Sequence, residues 1–400
     1  MTLEDLIHDW NGPAPDGSRM PQLNDETLRD GLQSPSVRDP DIPAKRDLLH
    51  RLSRLGVDAV GLGMPGAGPK ALAAVKALLV EIRDHRLPLA PNAAVRTLEA
   101  DLTQVAEIQQ RVGFPLEAGA FLGSSPVRMD VEGWDLAFLV TTARRAVAFC
   151  HRHQVPVMMV TEDSTRARPE VLKAIYQAAL DEGAESLCLS DTCGHATPEG
   201  VRRLVRFIRE EVIRDRPVRL DWHGHNDRGL GVANALAAFE AGADRLHGTL
   251  LGIGERCGNV ALDQLMVNLH LMGHPKGDLT SLPALTQRVG ELCGIQIPAN
   301  YPVLGRDAFR TGTGVHAAAI VKALHRGDVE LADAVYSGVP AALVGRRQEI
   351  EIGPMAGHSN VVYWLELNGY DAIPERVDHI LRLAKQSARI LSEEEIRSAL

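Results

Sequence analysis

The sequence predicts an α/β fold, a (β/α)8 TIM barrel followed by a mostly helical C-terminal subdomain, and three observations carry that expectation. Eight short apolar, β-prone runs recur near residues 20–27, 59–63, 88–95, 116–123, 156–162, 186–192, 218–225 and 245–252, spaced by about 25 to 40 residues. Segments with a helical apolar stripe lie between them. Polar clusters fall repeatedly at the carboxyl ends of the runs, where a parallel barrel gathers its functional side chains. A doubly wound open sheet is the rival, but it calls for a glycine fingerprint after the first strand, and the chain reads Leu28-Arg29-Asp30-Gly31-Leu32-Gln33 there.

In chain order, the first run leads into Arg29-Asp30, and the next helix, Ala44–Leu55, aligns Leu48, Leu49, Leu52 and Leu55 on one face. The second run ends in Gly61-Leu62-Gly63-Met64-Pro65, and the fifth in Glu162-Asp163, with Ser164 suited to capping a helix. The sixth closes on Asp191-Thr192, and Thr197-Pro198 then starts a helix to Val212, striped by Val201, Leu204, Val205 and Ile208. The seventh run delivers His223-Gly224-His225, and the loop Gly252–Asn259 follows the eighth. After about residue 285 the strand rhythm stops. A connector spans Ile297–Pro302, helices are expected over Val315–His325 and Asn360–Leu367, and one or two more beyond Ile373. The expected organisation is an N-terminal extension over 1–20, a catalytic barrel over 21–285 and a helical subdomain over 286–400.

Composition narrows the function. A formal net charge of -9 disfavours nucleic acid and anionic membrane surfaces as broad partners. Hydrophobic residues make up 45% but aromatics only 4%, so aliphatic packing between helices and sheet is expected. The five cysteines are scattered without metal-type spacing and read as reduced cytosolic thiols. With no basic leader and no long uncharged apolar stretch, the chain reads as soluble and cytoplasmic.

His223 and His225 carry the strongest chemical signal, because residues two apart on a strand project to the same side and can pinch a metal ion. Two solvated strand-end histidines are the plain alternative. Asp30 would complete a two-imidazole, one-carboxylate set with positions open to substrate, and Arg29 beside it suits developing negative charge, although adjacent opposite charges are also common at loop starts. Asn259 can arrive as an oxygen ligand on a glycine loop. Glu162 at a barrel mouth can orient or deprotonate a partner, and Thr192 can offer its hydroxyl to a substrate carboxylate. His316 sits at the start of a helix, whose dipole favours neutral imidazole, yet an ordinary surface histidine fits the sequence as well.

With these motifs placed, the chain resembles the 2-isopropylmalate synthase and homocitrate synthase family, a branch of the metal-dependent barrels that includes 3-hydroxy-3-methylglutaryl-CoA lyase. The resemblance runs from about Asn24 to Gly357. It rests on Leu28-Arg29-Asp30-Gly31-Leu32-Gln33, Thr161-Glu162-Asp163, Asp191-Thr192-x-Gly194, His223-Gly224-His225-Asn226-Asp227-x-Gly229, Gly252-Ile253-Gly254-Glu255-Arg256-x-Gly258-Asn259 and Gly314-Val315-His316, in that order.

The resemblance implies an acyltransferase of leucine-type amino-acid biosynthesis that condenses acetyl-CoA with a 2-oxo acid to a 2-alkylmalate. A divalent ion (Zn, Mn, Mg or Co) would be bound by Asp30, His223 and His225 with Asn259 close by. Arg29 would steady the oxyanion, and Gln33 and Thr192 would contact the 2-oxo acid. Glu162 and His316 would act on acetyl-CoA, with His316 brought by the partner subunit of a homodimer, and Tyr336 resembles the tyrosine that family members also bring from the appended region. Citramalate, benzylmalate or homocitrate synthase-type specificity, or lyase chemistry on a 3-hydroxyacyl-CoA, are the alternatives within the resemblance, and a metal-binding pseudoenzyme lies outside it.

Three departures stand out. Gly61 occupies the place of a family glutamate on strand 2, Leu32 that of another in the first motif, and Met158 that of the arginine with which homocitrate synthases pair a distal carboxylate. The last favours an apolar 2-oxo acid. A leucine-sensing domain has no room before Leu400, so feedback inhibition by that route is expected to be missing.

Overall fold

The computed structural model describes residues 3–11 and 19–400; Met1, Thr2 and residues 12–18 of the expected N-terminal extension lie outside the described residues. The eight runs become eight strands: β1 Gln22–Asp25, β2 Ala59–Gly61, β3 Ala90–Arg96, β4 Glu117–Gly123, β5 Val157–Glu162, β6 Ser186–Asp191, β7 Arg219–Gly224 and β8 Arg245–Gly248. All neighbours pair in parallel, and β1 meets β8 in the register Gln22 to Arg245 through Asp25 to Gly248, which closes the barrel. The helices that follow them are α1 Ile42–Leu55, α2 Pro69–His85, α3 Glu99–Val112, α4 Leu136–Arg152, α5 Pro169–Asp181, α6 Pro198–Phe207, α7 Gly231–Ala241 and α8 Leu262–Leu271.

Local chemistry sets these boundaries. Helix α1 starts at Asp41, whose carboxylate accepts from the Ala44 amide, and stops at Gly56 with φ 85°. The stripe Leu48, Leu49, Leu52 and Leu55 is fully buried on it. Thr197 caps α6 through the Gly200 amide. That helix gives way after Phe207 to one wide π-turn, Ile208–Ile213, rather than running regularly to Val212.

Strand 8 ends at Gly248, four residues short of the expected 252. The apolar Leu250-Leu251 pair reads as strand, but Leu251 takes φ 61° in a tight turn, and the Thr249 amide bonds back to the Val260 carbonyl. The strand rhythm also revives once after 285, in the two-residue parallel pair β9 Arg310–Thr311 and β10 Glu349–Ile350.

The described residues divide into two compact units: 19–278 with 284–296, which hold the barrel, and 297–400 with 279–283 and 3–11. In the second unit, helices α9 Gly314–His325 and α10 Val329–Ala334 share a core of Ala317, Ile320, Val321 and Ala332. Helices α11 His358–Leu367, α12 Pro374–Gln386 and α13 Glu393–Ser398 bury Val361, Leu365, Val377, Ile380 and Ile396 together. Among the described residues no helix is long and apolar enough to cross a membrane. All five cysteines are free thiols.

The outer shell of the barrel is aliphatic as expected, but its interior is not. Arg219, Asp221, Arg245 and Glu117, near the amino ends of their strands, form a buried ion network in which Arg245 donates to Asp221 and, at 2.8 Å, to Glu117, while Arg219 donates to both acids. His247 donates to Asp221 at 2.9 Å. Burial resists the Asp221 charge, but Arg245 and Arg219 overcome it and hold the carboxyl far below its usual range. Removing one member strands the others without solvent, so Asp221→Ala is expected to destabilise the fold by about 3–5 kcal/mol, read from chemical denaturation midpoints.

Candidate metal centre and active site

Strand alternation assembles the site. On β7, Asp221, His223 and His225 share one phase, and His225, just past the strand, forms an isolated bridge with Asn259. At the end of β1 the Asp25 carboxylate accepts from the Thr27 amide at 3.0 Å and the Thr27 hydroxyl at 2.8 Å, while the Thr27 hydroxyl accepts from the Leu250 amide at 2.9 Å. This turn brings Arg29 and Asp30 to the rim.

Asp30 Oδ2 lies 3.4 Å from His223 Nε2 and 3.7 Å from His225 Nε2, and the two imidazole nitrogens are 3.4 Å apart. A point equidistant from all three in their plane is about 2.0 Å from each, the length of a zinc bond to nitrogen or oxygen. All three side chains are buried. Asp30 Oδ1 and Asn259 Oδ1 are buried without a hydrogen-bond partner. Buried orphan oxygens of this kind call for an explanation, and a cation beside them supplies one. The donor set of two imidazoles, a carboxylate and an amide oxygen fits a catalytic divalent ion.

Electrostatics agree with that use. Burial raises the cost of charge on Asp30, but Arg29, His223 and His225 more than offset it and keep the carboxylate ionised. His225 is pushed down to about 4 by burial and by His223, which leaves its ring neutral and able to ligate. Burial disfavours the Arg29 cation, yet Glu26 and Asp30 reverse this and hold it charged.

The Asn259 loop depends on glycine. Gly258 has φ 86°, and a Cβ there would lie 1.8 Å from the Gly252 carbonyl oxygen; a Cβ on Gly254 would meet the Asn259 amide nitrogen at 2.1 Å. Asn259 Nδ2 donates to the Ile253 carbonyl at 3.1 Å, which turns Oδ1 the other way. Arg256 straps this loop down, donating to Asp227 at 2.8 Å and to the Thr192 carbonyl.

These groups rim a cavity of about 240 Å³ whose walls come entirely from the barrel. Gln33, Thr192 and Glu162 line it with Arg29, Asp30, His223 and His225, as do the apolar or small residues Met64, Ala94, Gly119, Phe121, Met158 and Val160. Thr192 Oγ1 accepts from the Asp163 amide at 2.8 Å, so its proton is available to a ligand. Glu162 is raised by burial, against the pull of Arg128 and with the push of Asp163. The Met158 sulfur accepts from Arg245 Nη2 at 3.4 Å.

His316 and Tyr336 come together elsewhere. His316 lies in the first turn of α9 in the second unit, and its ring stacks on Tyr336 with centroids 4.0 Å apart at 25°. Both rings are exposed, and so is the neighbouring Val315, at 72%.

Sequence reasoning missed Glu26 and His247, which also line the cavity. Glu26 shares the phase of Asn24 on β1, and His247 that of Arg245 on β8, and this two-residue parity was the available signal. The absent strand-2 glutamate also has a structural counterpart. A Cβ on Gly61 would lie 3.2 Å from Arg29 Cβ, so a larger side chain there needs Arg29 to give by a few tenths of an ångström.

The HMGL-like family model matches residues 20–289. A putative (R)-citramalate synthase of Methanopyrus kandleri is 32% identical over 91% of this chain and 68% of its own length. A 2-isopropylmalate synthase of Lactococcus lactis subsp. cremoris is 30% identical over 92% and 71%. Among solved structures, a hydroxymethylglutaryl-CoA lyase from Pseudomonas aeruginosa superposes with a TM-score of 0.57 at 22% identity, over 68% of this chain and 93% of that one, a likeness of fold. With a family match over residues 20–289 and a triangle of candidate metal ligands at the barrel rim, the chain belongs to the HMGL-like family.

Proposed function

We propose that this protein is an acyltransferase that condenses acetyl-CoA with an apolar 2-oxo acid, giving a 2-alkylmalate and free CoA in the manner of the 2-isopropylmalate and citramalate synthases it resembles. The observation that carries this reading is the triangle of Asp30, His223 and His225 beside Arg29, facing a cavity that also offers an apolar patch of Met64, Phe121, Met158 and Val160. A divalent ion held there, with Asn259 as a further oxygen donor, supplies Lewis acidity at the ketone oxygen of the 2-oxo acid.

The chain's own groups do the rest. Gln33 and the Thr192 hydroxyl receive the substrate carboxylate, and Met64, Phe121, Met158 and Val160 receive its alkyl group. Arg29 donates to the alkoxide that develops when the acetyl carbon attacks. His316, in a ring plane fixed by Tyr336, removes the proton from the acetyl methyl, with Glu162 as its partner on the barrel side. Water then adds to the thioester carbonyl, and CoA leaves with a proton on sulfur. Exposure of His316, Tyr336 and Val315 supports their use by the partner barrel of a homodimer.

The test follows free-thiol release from acetyl-CoA with 2-oxoisovalerate, pyruvate, longer aliphatic, aromatic and dicarboxylic 2-oxo acids. It uses metal-stripped protein with Zn, Mn, Mg or Co added back. Metal-dependent release with an apolar member is the expected result. Release with none of them, or cleavage of a 3-hydroxyacyl-CoA instead, sinks the proposal.

A further inference from the structure

Glu26 is fully enclosed, a costly place for a carboxylate, and it touches three functional groups at once. It accepts from His223 Nδ1 at 2.8 Å, pairs with the Arg29 guanidinium, and stands 3.5 Å from His247 Nδ1. The first contact has a chemical consequence. A neutral imidazole that gives its Nδ1 proton to a carboxylate presents Nε2 with a free lone pair, and Nε2 of His223 is the atom that faces Asp30 and His225. His225, by contrast, has no partner for its Nδ1 among the described residues. The second contact matters equally, because Gly61 offers no side chain from β2 and Arg29 is anchored from its own strand end.

We propose that Glu26 is the positioning residue of the metal centre, fixing the tautomer and direction of His223 and the placement of Arg29 with one carboxylate. This deepens the functional reading above and rests on its assignment of the metal to Asp30, His223 and His225. A competing geometry exists, since Glu26, His223 and His247 also bring one ligand atom each within 4.8 Å of the others. In that geometry Glu26 would itself be a ligand. Binding at that group, however, would consume the His223 nitrogen that points away from Asp30 and would leave the buried Asp30 Oδ1 and Asn259 Oδ1 without a partner.

The test titrates metal-stripped wild type, Glu26→Gln, Glu26→Ala and Asp30→Ala with Co²⁺ alone, reading affinity and the visible absorption bands. Circular dichroism confirms that each is folded, and Glu26→Gln keeps the shape of the native side chain if Glu26→Ala does not fold. Glu26→Gln is expected to weaken Co²⁺ by about 10–100-fold with band positions unchanged, as loss of an outer carboxylate does. Asp30→Ala should lose the wild-type spectrum. In turnover, Glu26→Gln should lower kcat with the KM for acetyl-CoA unchanged, and Glu26→Ala should lower it further. Wild-type Co²⁺ affinity in both Glu26 variants overturns the proposal and makes Glu26 structural. Altered bands in the Glu26 variants together with an unaltered Asp30→Ala spectrum overturn it too, by making Glu26 a ligand. Wild type that binds Co²⁺ but turns over no 2-oxo acid rejects the functional reading alone, and the affinity comparison still decides the role of Glu26.

Discussion

Asp30→Ala is expected to leave the protein folded while cutting metal-dependent thiol release by about 10³-fold or more, together with loss of bound metal. Asp30 supplies the one anionic ligand atom of the triangle, and its Oδ1 has no protein partner to lose. Without it, two imidazoles face each other at 3.4 Å with no anionic ligand atom between them to balance a dication. Arg29 loses one of its two carboxylates as well, so the group meant to meet the developing alkoxide becomes less constrained. Asp30→Asn should fall between, since it keeps an oxygen donor but not the charge. Metal analysis of the purified variants and thiol release with the preferred 2-oxo acid check this. Full activity in Asp30→Ala would remove the metal triangle from the reaction and revive a non-catalytic role for the barrel.

How readily the sequence betrayed the barrel follows from what each strand faces. Runs such as Val157–Glu162 bury one phase against helices, and recurrence of such runs with striped helices between them leaves little but a closed parallel sheet. The inside of the barrel was opaque for the same reason. Arg219, Asp221, Arg245 and Glu117 are separated by up to 128 residues, and each alone looks like a surface charge at a strand start. Only closure makes them neighbours. The overrun of β8 has a different origin, because Leu250 and Leu251 are β-prone while the loop beyond imposes a positive φ that propensity cannot reveal.

At the site, His223, His225 and Asp30 were legible because parity on β7 and position at the end of β1 are local facts. Glu26 was not. It precedes the Arg29-Asp30 motif, and although parity with Asn24 turns it inward, its value lies in reaching across to β7, a contact of 197 residues' separation that parity alone does not reveal. Gly61 shows the reverse: a departure visible in the sequence whose meaning needed the position of Arg29. His316 and Tyr336 were singled out through the resemblance, and their stacking in the second unit gives the pair a physical form without tying it to a barrel.

The remaining large effect concerns which barrel His316 serves. Its imidazole is exposed on α9, next to exposed Val315 and stacked on half-exposed Tyr336, an arrangement suited to insertion into a second copy of the chain. As the base proposed to take the acetyl proton, it should be worth about 10²–10⁴-fold, so His316→Ala is expected to be nearly inactive with its Co²⁺ spectrum intact. Asp30→Ala is expected to be inactive for the opposite reason, with a sound base and no metal. Mixing equal amounts and allowing subunits to exchange should then restore about a quarter of wild-type activity, because half of the dimers are mixed and each of those joins one intact barrel to one intact His316. If His316 served its own barrel, every mixed dimer would carry one defect in each site and nothing would return. If His316→Ala alone kept wild-type turnover, the base would have to be sought within the barrel, and Glu162, raised by its burial at the cavity wall, would be the first group to test.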